Sequence, residues 1–144
     1  MPVLSGASGA EIAEKLAPIL DMEHVGLENR RFPDGEAYVR VPPESIESVR
    51  SEAVVLVSNT FPDSGIMQTL LLLGAIRDVR KGDLSSVKGG WERDAEDVGP
   101  GVFLAIPYYG YARQDKRFSV GESISAKLVA EVLSKYCDGI AILD

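Results

Sequence analysis

Three apolar runs, Ala53 to Val57, Val102 to Ile106 and Ile140 to Leu143, are continuous rather than alternating and are bounded by polar or glycine residues. Runs of this length and type fit strands buried on both faces, as in a parallel sheet. Between and before them, Ser8 to Leu20, Asp63 to Val79 and Ser123 to Tyr136 space their apolar positions at a helical period. Strands and helices therefore alternate. The pattern predicts an α/β domain, a mostly parallel sheet flanked by helices and joined by right-handed crossovers.

The helices carry further detail. Ser8 followed by Glu11 has the spacing of a capping box, and Ile12, Leu16 and Ile19 or Leu20 fall on one stripe of the first helix. In the last helix Ile124, Leu128, Val132 and Tyr136 share a face, and Gly139 stands where a left-handed C-terminal residue is wanted. The middle helix, with Ile66, Met67, Leu70 to Leu73 and Ile76, has almost no polar side. Either a second subunit or this chain's own core must cover it. Residues 81–101, KGDLSSVKGGWERDAEDVGPG, are glycine-rich and acidic without periodicity, which predicts a surface insertion. Trp91 within it has no assigned part.

At 144 residues, 45% apolar and 26% charged, the chain has the material for one folded domain over residues 1–144 without covalent staples. The formal net charge of −7 opposes nucleic acid and anionic membrane surfaces, so an anionic ligand needs a local basic cluster. A single cysteine, Cys137, excludes a disulfide framework and a cysteine-based metal site, and its expected place is the core. His24 has no ligand partner at useful spacing and takes no role. No apolar stretch is long enough for a bilayer and no secretory signal pattern is recognised, so a cytoplasmic setting is expected. Neither GxxxxGK[ST] nor GxGxxG occurs.

In open parallel sheets ligands gather outside the carboxyl ends of the strands, which draws attention to the loop after Val102 to Ile106. It brings together Tyr108, Tyr109, Tyr111, Arg113, Gln114, Asp115, Lys116 and Arg117. Flat rings, a guanidinium fork for phosphate oxygens, a mobile ammonium and an amide for a base edge are what a nucleotide needs. A second region, Arg31 to Val41, contains the turn signal Pro33-Asp34-Gly35 and then an extended segment from Glu36. Phe32, Asp34 and Glu36 alternate, and on an extended backbone they would share one side, a ring to stack on a base and two carboxylates to accept from its amino group. Ser5-Gly6-Ala7-Ser8-Gly9, entering the first helix, serves either as plain capping or as an anion cradle.

The run PYYGYARQDKRFSVGESISAK together with RFPDGEAYVRV resembles the N-terminal part of the ribose-phosphate pyrophosphokinases. The resemblance implies a type I phosphoribosyltransferase-like domain and transfer of the diphosphoryl group of MgATP to ribose 5-phosphate, giving 5-phosphoribosyl 1-diphosphate and AMP. It implies an ATP site shared between subunits of a homo-oligomer, with Phe32, Asp34 and Glu36 of one chain meeting Arg113 and Gln114 of another, and with Asp115 and Lys116 as further ATP-binding residues. It also implies that Asp144 matches the aspartate of the family's Asp-Leu-His segment. The Mg2+-ligating histidine is then expected just beyond Asp144. The catalytic Lys/Arg loop and the ribose 5-phosphate segment would belong to a C-terminal half absent from these residues, so this stretch alone is expected to be inactive. Two departures stand out, the 81–101 insertion and the absence of Asn-Asp-x-Leu-Met within Ser58 to Met67. The competing readings are a non-catalytic associated subunit that binds nucleotide or the active enzyme, and a phosphoribosyltransferase. The latter's acidic-pair loop is missing here.

Overall fold

The computed structural model describes residues 1–81 and 99–143. Most of the expected insertion, Trp91 and Asp144 lie outside the described residues. Five strands form a parallel sheet in the order β2-β1-β5-β6-β7: β1 Val3–Ser5, β2 His24–Gly26, β5 Val54–Val57, β6 Val102–Ile106 and β7 Gly139–Ile142. A separate antiparallel ribbon pairs β3 Glu28–Arg31 with β4 Ala37–Arg40, Arg31 opposite Ala37. The α-helices are α1 Ala10–Ile19, α2 Ile46–Ser51, α3 Asp63–Lys81 and α4 Ser125–Leu133. The expected α/β architecture is therefore present, and β2 and α2 are additions to it.

The main core lies on one side of the sheet. Leu4, Leu56, Leu104 and Ile106 project there against Leu72, Leu73 and Ile76 of α3 and Val129 and Leu133 of α4. On the other side α1 packs Ala13 and Ala17 against Val3 and Val57. The central strand β5 is covered on both faces as the apolar run predicts. On β6 burial alternates instead, and Phe103 is 42% exposed, because α1 does not extend over β6 and β7. The expectation of double-sided burial thus holds for β5 and not for the two strands after it.

Helix α3 is covered largely from within the chain, by the sheet, α2 and β4. Met67 alone among its large apolar side chains is exposed. At its end Arg80, only 3% exposed, donates to the carbonyls of Val49 (2.9 Å), Glu52 (2.7 Å) and Pro100. A buried guanidinium is tolerable when carbonyls satisfy its fork, and here it ties α2 to the entrance of β6.

Four local expectations need correction. Ser8 does not cap α1: it lies in a 3-10 turn, Ala7–Gly9, and its hydroxyl accepts from the Asn59 backbone N–H at 3.3 Å. Glu11 pairs with Lys15 instead of reaching back. The buried stripe of α1 is Ala13 and Ala17, with Ile12, Ile19 and Leu20 outward, because small side chains let the helix lie close to the sheet. Gly9 marks that closeness, since a Cβ there would collide with the Val57 carbonyl. In α4 the buried face is Val129 and Leu133, continued by Cys137, one position round from the expected stripe. Leu128 and Tyr136 are exposed. One residue is about 100° of helix, so two adjacent apolar stripes cannot be told apart by period alone. Gly139 opens β7 rather than closing α4, and a Cβ on it would press on the Phe103 ring. Cys137 is buried as expected, donates to the Leu133 carbonyl, and has its thiol pKa raised by that burial.

Candidate functional site

A cleft of about 770 Å3 opens at the carboxyl ends of β5, β6 and β7. Its walls come from Thr60, Phe61 and Asp63 on one side and from residues 107–114 on the other, with Ile142 and Leu143 at the base. The cleft lies beside a topological switch point. The chain leaves β1 towards β2 on one side and returns to β5 on the other.

The loop after β6 is held by the loop after β5. Asn59 bridges three segments: its Nδ2 donates to the Ser8 carbonyl (2.8 Å), and its Oδ1 accepts from the Tyr108 N–H (2.9 Å). The Thr60 N–H donates to the Tyr108 carbonyl (3.2 Å), and its hydroxyl accepts from the Gly110 N–H (2.8 Å). Gly110 lies so close that a Cβ on it would strike the Thr60 carbonyl oxygen. Beneath, the Ser58 and Thr69 hydroxyls pair at 2.8 Å, both fully buried, so the polar floor is internally satisfied.

Two tyrosines fix the far end. The Tyr109 hydroxyl donates to the Ala126 carbonyl at the start of α4 (2.6 Å), and burial raises its phenol pKa. The Tyr111 hydroxyl donates to Asp63 Oδ1 (2.7 Å), and that bond and the carboxylate's charge raise its phenol pKa. Phe61, 62% exposed, meets Tyr108 edge to face at 5.4 Å on the cleft rim, just before a cis Phe61-Pro62 bond.

Of the expected ligand residues, Arg113 and Gln114 line this cleft. Asp115 and Lys116 follow on an exposed tip. That tip is shaped locally: Glu122 accepts from the Phe118 (2.7 Å) and Ser119 (3.0 Å) N–H groups, which lowers its carboxyl pKa. Lys116 Nζ lies 5.5 Å from the Phe118 ring centre.

Phe32, Asp34 and Glu36 lie elsewhere, on the β3–β4 ribbon, and none of them lines the cleft within one chain. Their arrangement also differs from the expected extended run. Residues 32–36 form the turn itself, with the Phe32 N–H donating to the Glu36 carbonyl, the Gly35 N–H to the Phe32 carbonyl, and Gly35 at φ +95°. Asp34 Oδ1 accepts the Glu36 N–H (3.1 Å). Phe32 meets Tyr38 edge to face at 5.6 Å, and the Arg30 guanidinium lies over both rings, 5.1 and 4.1 Å from their centres. All three candidate side chains remain exposed.

Sequence reasoning missed Asn59, Thr60, Phe61 and Asp63. The polar run directly after the apolar β5 was the available signal, had the rule applied to β6 been applied there too. His24, set aside from the sequence, shares a 2.8 Å hydrogen bond with the buried Ser5 hydroxyl and closes the β1–β2 edge.

Comparison with known proteins agrees with this fold. The family model described as the N-terminal domain of ribose phosphate pyrophosphokinase matches residues 1–87 and 100–136. The ribose-phosphate pyrophosphokinase of Thermoplasma volcanium is 33% identical over 144 residues, all of this chain and 43% of that protein. That of Saccharolobus solfataricus is 35% identical over 137 residues, 94% of this chain and 40% of the relative. A crystal structure of phosphoribosylpyrophosphate synthetase from Mycobacterium smegmatis superposes with a TM-score of 0.71 at 26% identity, covering 99% of this chain and 42% of that one. The chain thus spans about two fifths of the length of the relatives it matches.

Proposed function

The chain belongs to the family of ribose-phosphate pyrophosphokinase N-terminal domains, and on that premise we propose that it is the ATP-binding part of a ribose-phosphate diphosphokinase. The observation that carries this reading is the cleft at the strand ends, into whose wall Asn59, Thr60 and Asp63 fix the loop bearing Arg113 and Gln114. Arg113 offers a planar fork to phosphate oxygens and Gln114 an amide to the nucleoside. Lys116, on the exposed tip, supplies a mobile charge to the outer phosphates, with Asp115 beside it. In diphosphoryl transfer to ribose 5-phosphate these groups position the chain of phosphates and neutralise charge that grows on the transferred oxygens. Mg2+ enters as part of MgATP, as substrate. Among the described residues no three His, Cys, Asp or Glu side chains come together in a group that could hold a metal ion.

The ribbon supports a shared site. Phe32, Asp34 and Glu36 are exposed and turned away from the chain's own cleft, so a second copy that brings its ribbon to the cleft would add the base-binding ring and acceptors. No helix among the described residues is long and apolar enough to cross a membrane.

Calorimetric titration with MgATP tests the reading. Arg113→Ala and Phe32→Ala each weaken binding by about tenfold or more, the scale of one charge-assisted contact or one stacked ring. An equimolar mixture of the two variants recovers a fraction of tight sites, since some pairs join an intact loop to an intact ribbon. Absence of MgATP binding by the unaltered chain sinks the ATP reading, and absence of recovery on mixing sinks the shared site.

A further inference from the structure

Asp63 stands out on the wall of a cleft read as a polyphosphate site, because a carboxylate there opposes the ligand's charge. Among the described residues its side chain accepts from the Tyr111 hydroxyl, at 2.7 Å. Tyr111 is itself unusual. Its φ of +65° lies in the left-handed region, which costs a bulky L-residue about 1 kcal/mol or more and persists only where surrounding contacts impose it. From that residue the chain reverses: the Gln114 N–H donates to the Tyr111 carbonyl (2.8 Å), and the Gln114 carbonyl accepts from the Ala126 N–H (3.3 Å). Arg113 lies inside the reversal.

We propose that Asp63 is a positioning residue for the nucleotide site: by holding the Tyr111 hydroxyl it fixes the left-handed turn that sends Arg113 and Gln114 into the cleft. The proposal rests on the ATP-binding reading for its purpose, and on the 63–111 contact for its mechanics. It accounts for an acid in an anion site, since the hydrogen bond occupies one carboxylate oxygen and orders a cation two residues further on. The contact joins the first residue of α3 to the loop after β6, so the helix start and the ligand-bearing turn move as one body.

Limited trypsin digestion and MgATP calorimetry on the 144-residue chain test this with Tyr111→Phe, Asp63→Ala and Asp63→Asn. The first two remove the bond, and the third keeps an acceptor oxygen in place. Cleavage after Arg113 accelerates about 3–10-fold in Tyr111→Phe and Asp63→Ala, the scale of one lost hydrogen bond, while cleavage after Arg30 and Arg31 keeps its rate. MgATP binding weakens by a similar factor in both, and Asp63→Asn keeps its cleavage rate after Arg113 within about twofold of the original. Unchanged cleavage after Arg113 in Tyr111→Phe overturns the proposal. So does an Asp63→Asn chain that loses MgATP affinity as Asp63→Ala does while its cleavage is normal, because Asp63 would then contact the nucleotide's donor groups or its Mg2+ directly. If the unaltered chain binds no MgATP, the ATP reading fails, and the digestion still decides whether the contact holds the turn.

Discussion

The β3–β4 ribbon and the loop after β6 both carry residues suited to a nucleotide, and they are held in opposite ways. The exposed end of the ribbon is held from within: Arg30 over Phe32 and Tyr38, Arg31 Nη1 on the Gly35 carbonyl, Asp34 on the Glu36 N–H, and Arg40 paired with Glu28. Every one of those partners lies within the same 13 residues. The loop is shaped by distant partners, with Asn59, Thr60 and Asp63 about fifty residues away in sequence and α4 on its other flank. β4 packs on α3, but the exposed turn is held by its own residues and can be presented to another chain without losing its form. The loop's form exists only where the β5 and β6 ends lie side by side.

Glycine substitutions separate the two most sharply. Gly110→Ala forces a methyl group into the Thr60 carbonyl, a backbone atom that cannot swing aside. We expect about 3 kcal/mol of destabilisation, read as a lower urea midpoint, with MgATP affinity falling in the same variant as the loop lifts. A midpoint within error of the original would mean that the loop is not pinned as described. Gly35→Ala meets no neighbour within 4 Å, so its cost is only that of a left-handed conformation, about 1 kcal/mol. Its effect should stay local, visible as faster amide exchange in residues 32–37 with none in 107–114. Exchange that spreads to the loop would show the two regions to be coupled within one chain.

The smallest effect concerns the tip of the loop and depends on pH. Glu122 has its folded carboxyl pKa lowered below the ordinary 4.5 by two backbone N–H donors. A lowered folded value means the contribution is present in full above the unfolded pKa and is lost as pH falls through the folded one. Acidification through that lowered value should therefore free the Phe118 and Ser119 amides to exchange, while the Phe32 and Gly35 amides of the ribbon, which donate to backbone carbonyls, stay protected. Retained protection at residues 118 and 119 once that carboxyl is protonated would show that the tip is held by something else.

Much of the domain was legible from local patterns. The strand at Val102–Ile106 and the start of the helix at Asp63 fall where the apolar runs and period put them, because those residues exclude water wherever they are placed. The faces of α1 and α4 were not legible. Ile12 or Ala13, Leu128 or Val129 could each have faced inward, and the choice was made by how near the sheet the helix could lie. In the site, Arg113 and Gln114 were found from residue type and from their place after a buried strand. Asn59, Thr60 and Asp63 were not, because their hydrogen bonds run to residues about fifty positions away.

By itself, then, the sequence determined the α/β alternation, the turn at Pro33-Asp34-Gly35 and the set of side chains able to meet a nucleotide, since those follow from hydrophobicity, backbone preference and functional-group chemistry. Only the tertiary structure decided which of those side chains share a cleft and which face away. That depends on strand order, which brings the ends of β5 and β6 together and leaves the ribbon apart. Strand order is set by packing over long sequence separations, which short-range periodicity does not encode.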